Sequence, residues 1–149
     1  MIDVETFEEE LNVLNKSYEH GSFEYGNTNI LFRSVVESHF HNVQRIDKHG
    51  IYIIRQKSTR RVLFIGKSGI INKQGNFKDQ DIPRRLKNVK NENISANEWF
   101  KNLVSDMGPL IIEYIFLRET PKSPTLVASL LLQAHFNEHN SLPCRNNSF

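Results

Sequence analysis

Two aromatic residues stand at matching places in two short apolar segments of this chain. Tyr52 lies in the run from Gly50 to Ile54, and Phe64 lies in the run from Val62 to Ile65. A polar, basic connector, residues 55–61, separates the two runs. This pattern is typical of two strands joined as a hairpin with a longer loop, which brings the two rings side by side. A free tyrosine has a pKa near 10, so a phenolate at such a place needs a nearby metal or cation to favour it.

Two adjacent arginines follow a predicted helix start and could hold a phosphate. Arg84 and Arg85 come directly after Ile82 and Pro83, and proline is well accommodated in a first helical turn. A guanidinium keeps its proton, and its fixed fork of donors can hold a phosphate through two hydrogen bonds. The sequence therefore offers an aromatic hairpin and a cationic helix as two candidate places for chemistry.

Positive charge is concentrated in the middle of the chain. The net charge is only +2, yet basic residues outnumber acidic ones from residue 55 to residue 101. Such a stretch can form a phosphate-binding face, and an ordinary solvated surface is the alternative. Besides the arginine pair, the candidate nucleic-acid-binding residues are Arg60, Arg61, Lys87 and Lys90.

The segments Gly50-Ile51-Tyr52 and Phe64-Ile65-Gly66 resemble the two tripeptides that give the GIY-YIG nuclease family its name. Eleven residues separate them, and the second begins with phenylalanine instead of tyrosine. The resemblance covers about residues 50–146. It implies an α+β fold with a small three-stranded antiparallel sheet flanked by helices. It also implies hydrolysis of phosphodiester bonds in DNA, with one Mg²⁺ or Mn²⁺ ion.

The resemblance assigns three residues to parts of a catalytic site. Tyr52 matches the tyrosine that acts on the water, and Arg85 matches an arginine on the first helix, with Arg84 as the alternative. Asn146 matches a C-terminal asparagine that follows a proline, here Pro143, and supports the site. A plain turn is the other interpretation of this last segment, since proline and asparagine are common loop residues.

Two further positions depart from the family pattern. Phe64 keeps the ring of the second tyrosine and lacks its hydroxyl, and Lys67, just after the second tripeptide, could supply a compensating cation or be a simple loop lysine. The metal-binding glutamate falls on Ala128, whose methyl group cannot act as an oxygen ligand. Ala128 is then either an inactivating substitution, the mark of a lineage that kept binding and lost catalysis, or a helix alanine without a role.

The elements that must position these residues follow from hydrophobic spacing and capping signals. Residues 1–48 are predicted as a helical N-terminal extension, and residues 49–149 as the nuclease-like domain. A stretch that contains glycine and asparagine, Gly21 to Asn29, breaks the helical pattern within the extension. A polar loop insertion is expected from Lys67 to Asp81. The predicted helices cover about residues 4–18 and 30–44, begin near Asp81 and at Ser95, and run from Ser123 to about His139; a strand is predicted from Leu110 to Leu117.

Composition limits the class of protein. A chain of 149 residues with 38% hydrophobic and 24% charged residues is typical of one soluble globular domain. Its apolar runs are shorter than the roughly 20 residues that span a bilayer. A single cysteine, Cys144, cannot form a disulfide within the chain, which fits a cytoplasmic location and no membrane partner.

The leading expectation is therefore a metal-dependent endonuclease, inactive in this chain because Ala128 occupies the glutamate position. The alternative is a non-catalytic nucleic-acid-binding module on the same fold. DNA is the expected partner, with RNA left open. Specificity would come from the N-terminal extension, from the predicted insertion, or from a homodimer, as in a restriction or defence nuclease.

Overall fold

A computed structural model describes residues 6–41, 49–78, 81–88, 94–117 and 122–147 of the chain. Runs of strands and runs of helices follow one another in this part of the sequence, as expected for an α+β protein. The elements in chain order are α1 (Phe7–Ser17), β1 (His20–Tyr25), α2 (Phe32–His39), β2 (Gly50–Gln56), β3 (Val62–Ser68), β4 (Ile70–Ile71), β5 (Phe77–Lys78), α3 (Ile82–Lys87), α4 (Ala96–Met107), β6 (Leu110–Phe116) and α5 (Pro124–His139).

The helix starts follow the capping residues. The side chains of Asp81, Ser95 and Ser123 each accept a hydrogen bond from a backbone N–H in the first turn of α3, α4 and α5. These caps satisfy donors that have no partner within the helix. The predicted starts are confirmed, as are the strand at residues 110–116 and the helix end at His139. Helix α2 is shorter than predicted, with Phe40 as its C-cap.

The main sheet has four antiparallel strands in the order β1-β6-β2-β3. The expected α+β class and antiparallel pairing are confirmed, but the expected count of three strands is wrong. The fourth strand, β1, comes from the N-terminal extension, so that extension is not wholly helical. Gly21 made this segment look like a loop in the sequence. In the structure the glycine lies within a strand, and a Cβ at this residue would lie 2.4 Å from the Tyr114 hydroxyl oxygen. Glycine is needed because the ring of Tyr114 crosses the neighbouring strand at this point.

The predicted polar loop from Lys67 to Asp81 is also partly wrong. Strand β3 extends to Ser68, and β4 and β5 form a small antiparallel pair. Gly75 turns between them with φ of +83°, a conformation that favours glycine. The segment therefore carries local structure of its own before α3 begins.

The two faces of the main sheet bury different side chains. One, here called the aromatic face, is covered by α2, α3 and α4 and includes Tyr52, Phe32, Phe100 and Tyr114. The other, the aliphatic face, is covered by α1 and α5. Its core residues are Phe7, Leu11, Leu14, Ile51, Ile53, Val62, Ile65, Ile115, Leu117, Val127, Ala128, Leu131, Leu132 and Ala134. Because side chains alternate along a strand, β2 contributes Tyr52 and Ile54 to one face and Ile51 and Ile53 to the other.

Candidate functional site

The two tripeptides meet on the aromatic face, where β2 pairs with β3. Tyr52 lies directly opposite Gly66 in the strand register. A Cβ at Gly66 would approach the Tyr52 ring to 2.2 Å, so the ring lies flat across this glycine. The Tyr52 and Phe64 rings are stacked, with centroids 5.9 Å apart and 30° between their planes. The glycine of the second tripeptide thus makes room for the tyrosine of the first.

Arg85 of α3 reaches this tyrosine. The half-buried residue Arg85 donates a hydrogen bond from its guanidinium to the hydroxyl of Tyr52, a residue that is only 1% exposed. Burial raises the pKa of Tyr52 to about 12, and the nearby Arg85 charge offsets only part of that rise. Tyr52 is therefore a neutral phenol at neutral pH, suited to orienting a group and not to accepting a proton.

The structure separates the two candidate arginines. Arg85 is half-buried against Tyr52, whereas its neighbour Arg84 is exposed. The short helix α3 that carries both packs against β2, β3 and α4. Its N-cap Asp81 is itself buried and holds the backbone N–H of Arg84 at 3.0 Å. This cap and these contacts set the direction in which the helix presents Arg85.

Trp99 of α4 extends the aromatic group and was not among the predicted site residues. Its ring meets Phe64 edge-on, with centroids 5.7 Å apart and 70° between the planes. Both side chains are half-buried. The sequence shows Trp99 only as one apolar residue of an amphipathic helix, because a contact between residues so far apart in the chain leaves no local signal.

Asn146 binds the outer edge of the hairpin. Its amide oxygen accepts a hydrogen bond from the Ile65 N–H, and its amide nitrogen donates to the Ile65 carbonyl, both at 2.9 Å. The Arg145 N–H also donates to the Leu63 carbonyl at 2.9 Å. Strand β3 is the last strand of the sheet, so these contacts replace a missing neighbour. Asn146 thus holds the strand that carries Phe64 and Gly66.

Lys67 and Ala128 lie elsewhere. Lys67 is exposed and its amine donates to the Thr125 hydroxyl at 2.9 Å, at the start of α5. Ala128 is 6% exposed and packs in the aliphatic core, across the sheet from Tyr52. The structure brings Tyr52, Phe64 and Arg85 together and does not bring Ala128 to them.

The predicted nucleic-acid-binding residues do not form one cluster. Arg60 and Arg61 are in the turn at the far end of the β2–β3 hairpin, and Arg61 lines a surface cavity of about 380 Å³ beside α1 and α5. Lys87 lies 3.5 Å from the Glu37 carboxylate of α2. Lys90 falls outside the described residues.

A divalent ion does not fit the described part of this site. Within that part, the side chains of histidine, cysteine, aspartate and glutamate form no group of three that could hold a metal. The position aligned with the metal ligand is an alanine in an apolar core. Mg²⁺ requires several oxygen ligands, and the Tyr52–Arg85 pair brings a cation in their place.

Comparisons with models of protein families, with curated proteins and with solved structures find no match to this chain. The likeness to the GIY-YIG nucleases therefore depends on the sequence segments given above. Within the described residues, no helix combines the length and the apolar character needed to cross a membrane.

Proposed function

We propose that this chain binds DNA through a phosphate held at the Tyr52–Arg85 pair. In a GIY-YIG-like protein this pair would hold the phosphodiester that is to be cut. Here it serves as the anchor of a binding site on the aromatic face. The metal-dependent endonuclease implied by the resemblance remains the second proposal, because the described residues do not assemble a metal site.

The hydrogen bond between Arg85 and Tyr52 carries the first proposal. A guanidinium has five N–H donors in a fixed plane, so one that is oriented by a phenol can also bind a phosphate through two parallel bonds. The phenol that orients Arg85 is neutral, so it adds no negative charge that would repel the phosphate. Arg84, exposed on the same helix, places a second cation nearby.

The test is the affinity of the full chain for a fluorescein-labelled duplex, measured by anisotropy at several salt concentrations. We expect Arg85→Gln to weaken binding at least tenfold and to reduce the slope of log K against log salt by about one. Arg84→Gln removes the same charge from the same helix without the bond to Tyr52, so its effect should be smaller. Lys16→Gln, on α1 across the sheet, is the control for net charge.

Two results would contradict this proposal. Equal losses for Arg85→Gln and Lys16→Gln would show that only net charge matters. An unmodified chain that binds neither duplex nor single-stranded DNA at low salt would remove nucleic-acid binding altogether.

The endonuclease proposal is supported by the contact between Tyr52 and Arg85 and by Asn146, which holds the outer strand of the same hairpin. Its test is supercoiled plasmid incubated with the unmodified chain and with Arg85→Gln, in Mg²⁺, Mn²⁺ or EDTA. Metal-dependent nicking that disappears in Arg85→Gln would establish cleavage at this site. DNA binding without nicking in either metal, by the unmodified chain and by Ala128→Glu alike, would leave the binding function and remove the enzymatic one.

A further inference from the structure

We infer that the Phe64–Trp99 pair is a stacking surface for an unpaired base of single-stranded DNA. The inference rests on the proposed function, since it names the form of DNA that the Tyr52–Arg85 anchor takes. It also explains what a phenylalanine does at a position where the resembled family has a tyrosine.

The first support is the state of the two rings. Phe64 and Trp99 are half-buried large aromatic side chains, and each presents part of its surface to solvent. Phe64 has no polar atom with which to orient water or phosphate. Its inner neighbour, Tyr52, is fully buried and hydrogen-bonded to Arg85, so the chemistry available at the surface of Phe64 is apolar and aromatic.

The second support is the element that joins the aromatic pair to the cations. Helix α3 packs against β2, β3 and α4, which carry Tyr52, Phe64 and Trp99 respectively. The same helix carries Arg84 and Arg85. A strand of DNA whose phosphate lies on α3 therefore has the aromatic pair among the nearest surfaces on which its bases can be placed.

The third support is the chemistry of bases. Every base has an apolar face, and stacking of a base on an aromatic side chain tolerates any sequence. In a duplex these faces are covered by neighbouring base pairs, so a stacking surface selects unpaired bases. The combination of aromatic side chains with flanking cations is the usual composition of single-strand binding sites.

Trp99 is the single tryptophan of the chain, so its fluorescence reports on this surface alone. The full chain is titrated with oligothymidine, with an abasic oligonucleotide of equal length, and with a hairpin duplex. We expect oligothymidine to quench Trp99 and to bind more tightly than the abasic strand or the duplex. Equal affinity for oligothymidine and the abasic strand, with no quenching, would overturn the inference and leave phosphate binding intact.

Variants of Phe64 make the test specific. Phe64→Leu should weaken oligothymidine binding about 5- to 100-fold and leave the abasic strand unaffected. Phe64→Tyr keeps the ring and should bind within about twofold of the unmodified chain. Equal weakening of both ligands by a Phe64→Leu chain whose circular dichroism matches that of the unmodified chain would overturn the inference, as would unchanged binding of both ligands.

The remaining outcomes are also decisive. Tighter binding of oligouridine than of oligothymidine would overturn the choice of DNA. A chain that binds none of these ligands would overturn the proposed function together with the inference, a result distinct from loss of base stacking alone.

Discussion

The aromatic and aliphatic faces of the sheet share strands β2, β3 and β6, but an arginine on each face has partners of different charge. At the edge of the aliphatic face, the buried Arg55 guanidinium is held by the Glu8 carboxylate at 2.7 and 3.1 Å and by the Glu113 carboxylate. On the aromatic face, Arg85 is held by the neutral hydroxyl of Tyr52. The two arginines differ in the charge of these partners.

This difference separates a structural arginine from the arginine that we propose binds phosphate. Two carboxylates offset the charge of Arg55, which links α1 to the sheet. The Arg55 guanidinium also lies 5.6 Å above the centre of the Phe7 ring and donates to the Arg60 carbonyl at 3.0 Å. A phenol, in contrast, orients a guanidinium without offsetting its charge. We therefore expect damage on the aliphatic face to reduce stability, and damage on the aromatic face to reduce DNA binding.

The largest expected effect is the loss of Arg55. Arg55→Met leaves the largely buried Glu113 carboxylate without its cation, which should lower the free energy of unfolding by about 3–5 kcal/mol. Urea denaturation followed by circular dichroism measures the loss. Glu8→Gln is the control, because that carboxylate side chain is 59% exposed and should cost about 1 kcal/mol or less. Similar losses in both variants would show that the buried Glu113 carboxylate does not set the cost of losing Arg55.

Introducing an acid at residue 128 tests the assignment of that residue to the aliphatic face. Ala128→Glu would bury a carboxylate among apolar side chains and should lower the free energy of unfolding by about 3 kcal/mol at neutral pH. Ala128→Gln has the same size without the charge and should lose less. Burial raises the pKa of such a carboxyl group, so the difference between the variants should shrink as pH falls. Stabilisation of the glutamate variant by Mg²⁺, with metal-dependent nicking, would place residue 128 in the site after all.

The ionisation of Tyr52 gives a pH signature of the aromatic face. Its pKa is near the ordinary 10 in the unfolded chain and about 12 in the folded one. The neutral phenol therefore contributes to the free energy of unfolding. This contribution is fully present below pH 10 and is lost as pH rises to 12, which lowers the free energy of unfolding by about 2–3 kcal/mol. Tyr52→Phe should therefore lose less stability than the unmodified chain between pH 9 and about 11. Urea unfolding at both pH values measures this, and parallel losses would contradict the burial of the phenol.

The smallest expected loss of stability follows from filling the space under the Tyr52 ring. Gly66→Ala should cost about 1–3 kcal/mol, because its Cβ would overlap the ring, and it should weaken DNA binding by displacing the Arg85 partner. Gly75→Ala is the matched control, since nothing lies within 4 Å of its Cβ and only its positive φ is strained. Thermal unfolding and anisotropy separate the two effects. Equal DNA affinity for the two variants would argue against a DNA-binding site at the Tyr52–Arg85 pair.

Single helices and strands could be predicted from the sequence because caps and apolar runs lie within a few residues of the element that they define. Ser95 and Ser123 cap helices where they were expected to, and the apolar runs around Tyr52 and Phe64 form the predicted hairpin. Strand β1 was missed because glycine usually indicates a turn. The reason for Gly21, the ring of Tyr114 on a partner strand, lies far along the chain.

The candidate site likewise combines residues that the sequence predicted with features that only the structure shows. Tyr52, Phe64 and Arg85 were named from short motifs, and the structure brings them together. The contribution of Trp99 required the packing of α4 against the hairpin. Arg85 was preferred over Arg84 from the sequence, but only the direction of α3 shows which of the two side chains lies against Tyr52. Ala128 was assigned from a run of aliphatic residues, which cannot show the side of the sheet on which a helix lies.

The sequence by itself determined the α+β class, the hairpin and most helix boundaries, because alternation, caps and turns act over a few residues. Only the tertiary structure decided which residues share a face. It placed β1 beside β6, sent Tyr52 and Arg85 to the aromatic face, and buried Ala128 on the aliphatic one. That decision depends on burial and pairing between distant segments, where the free energy comes from contacts that no local pattern records.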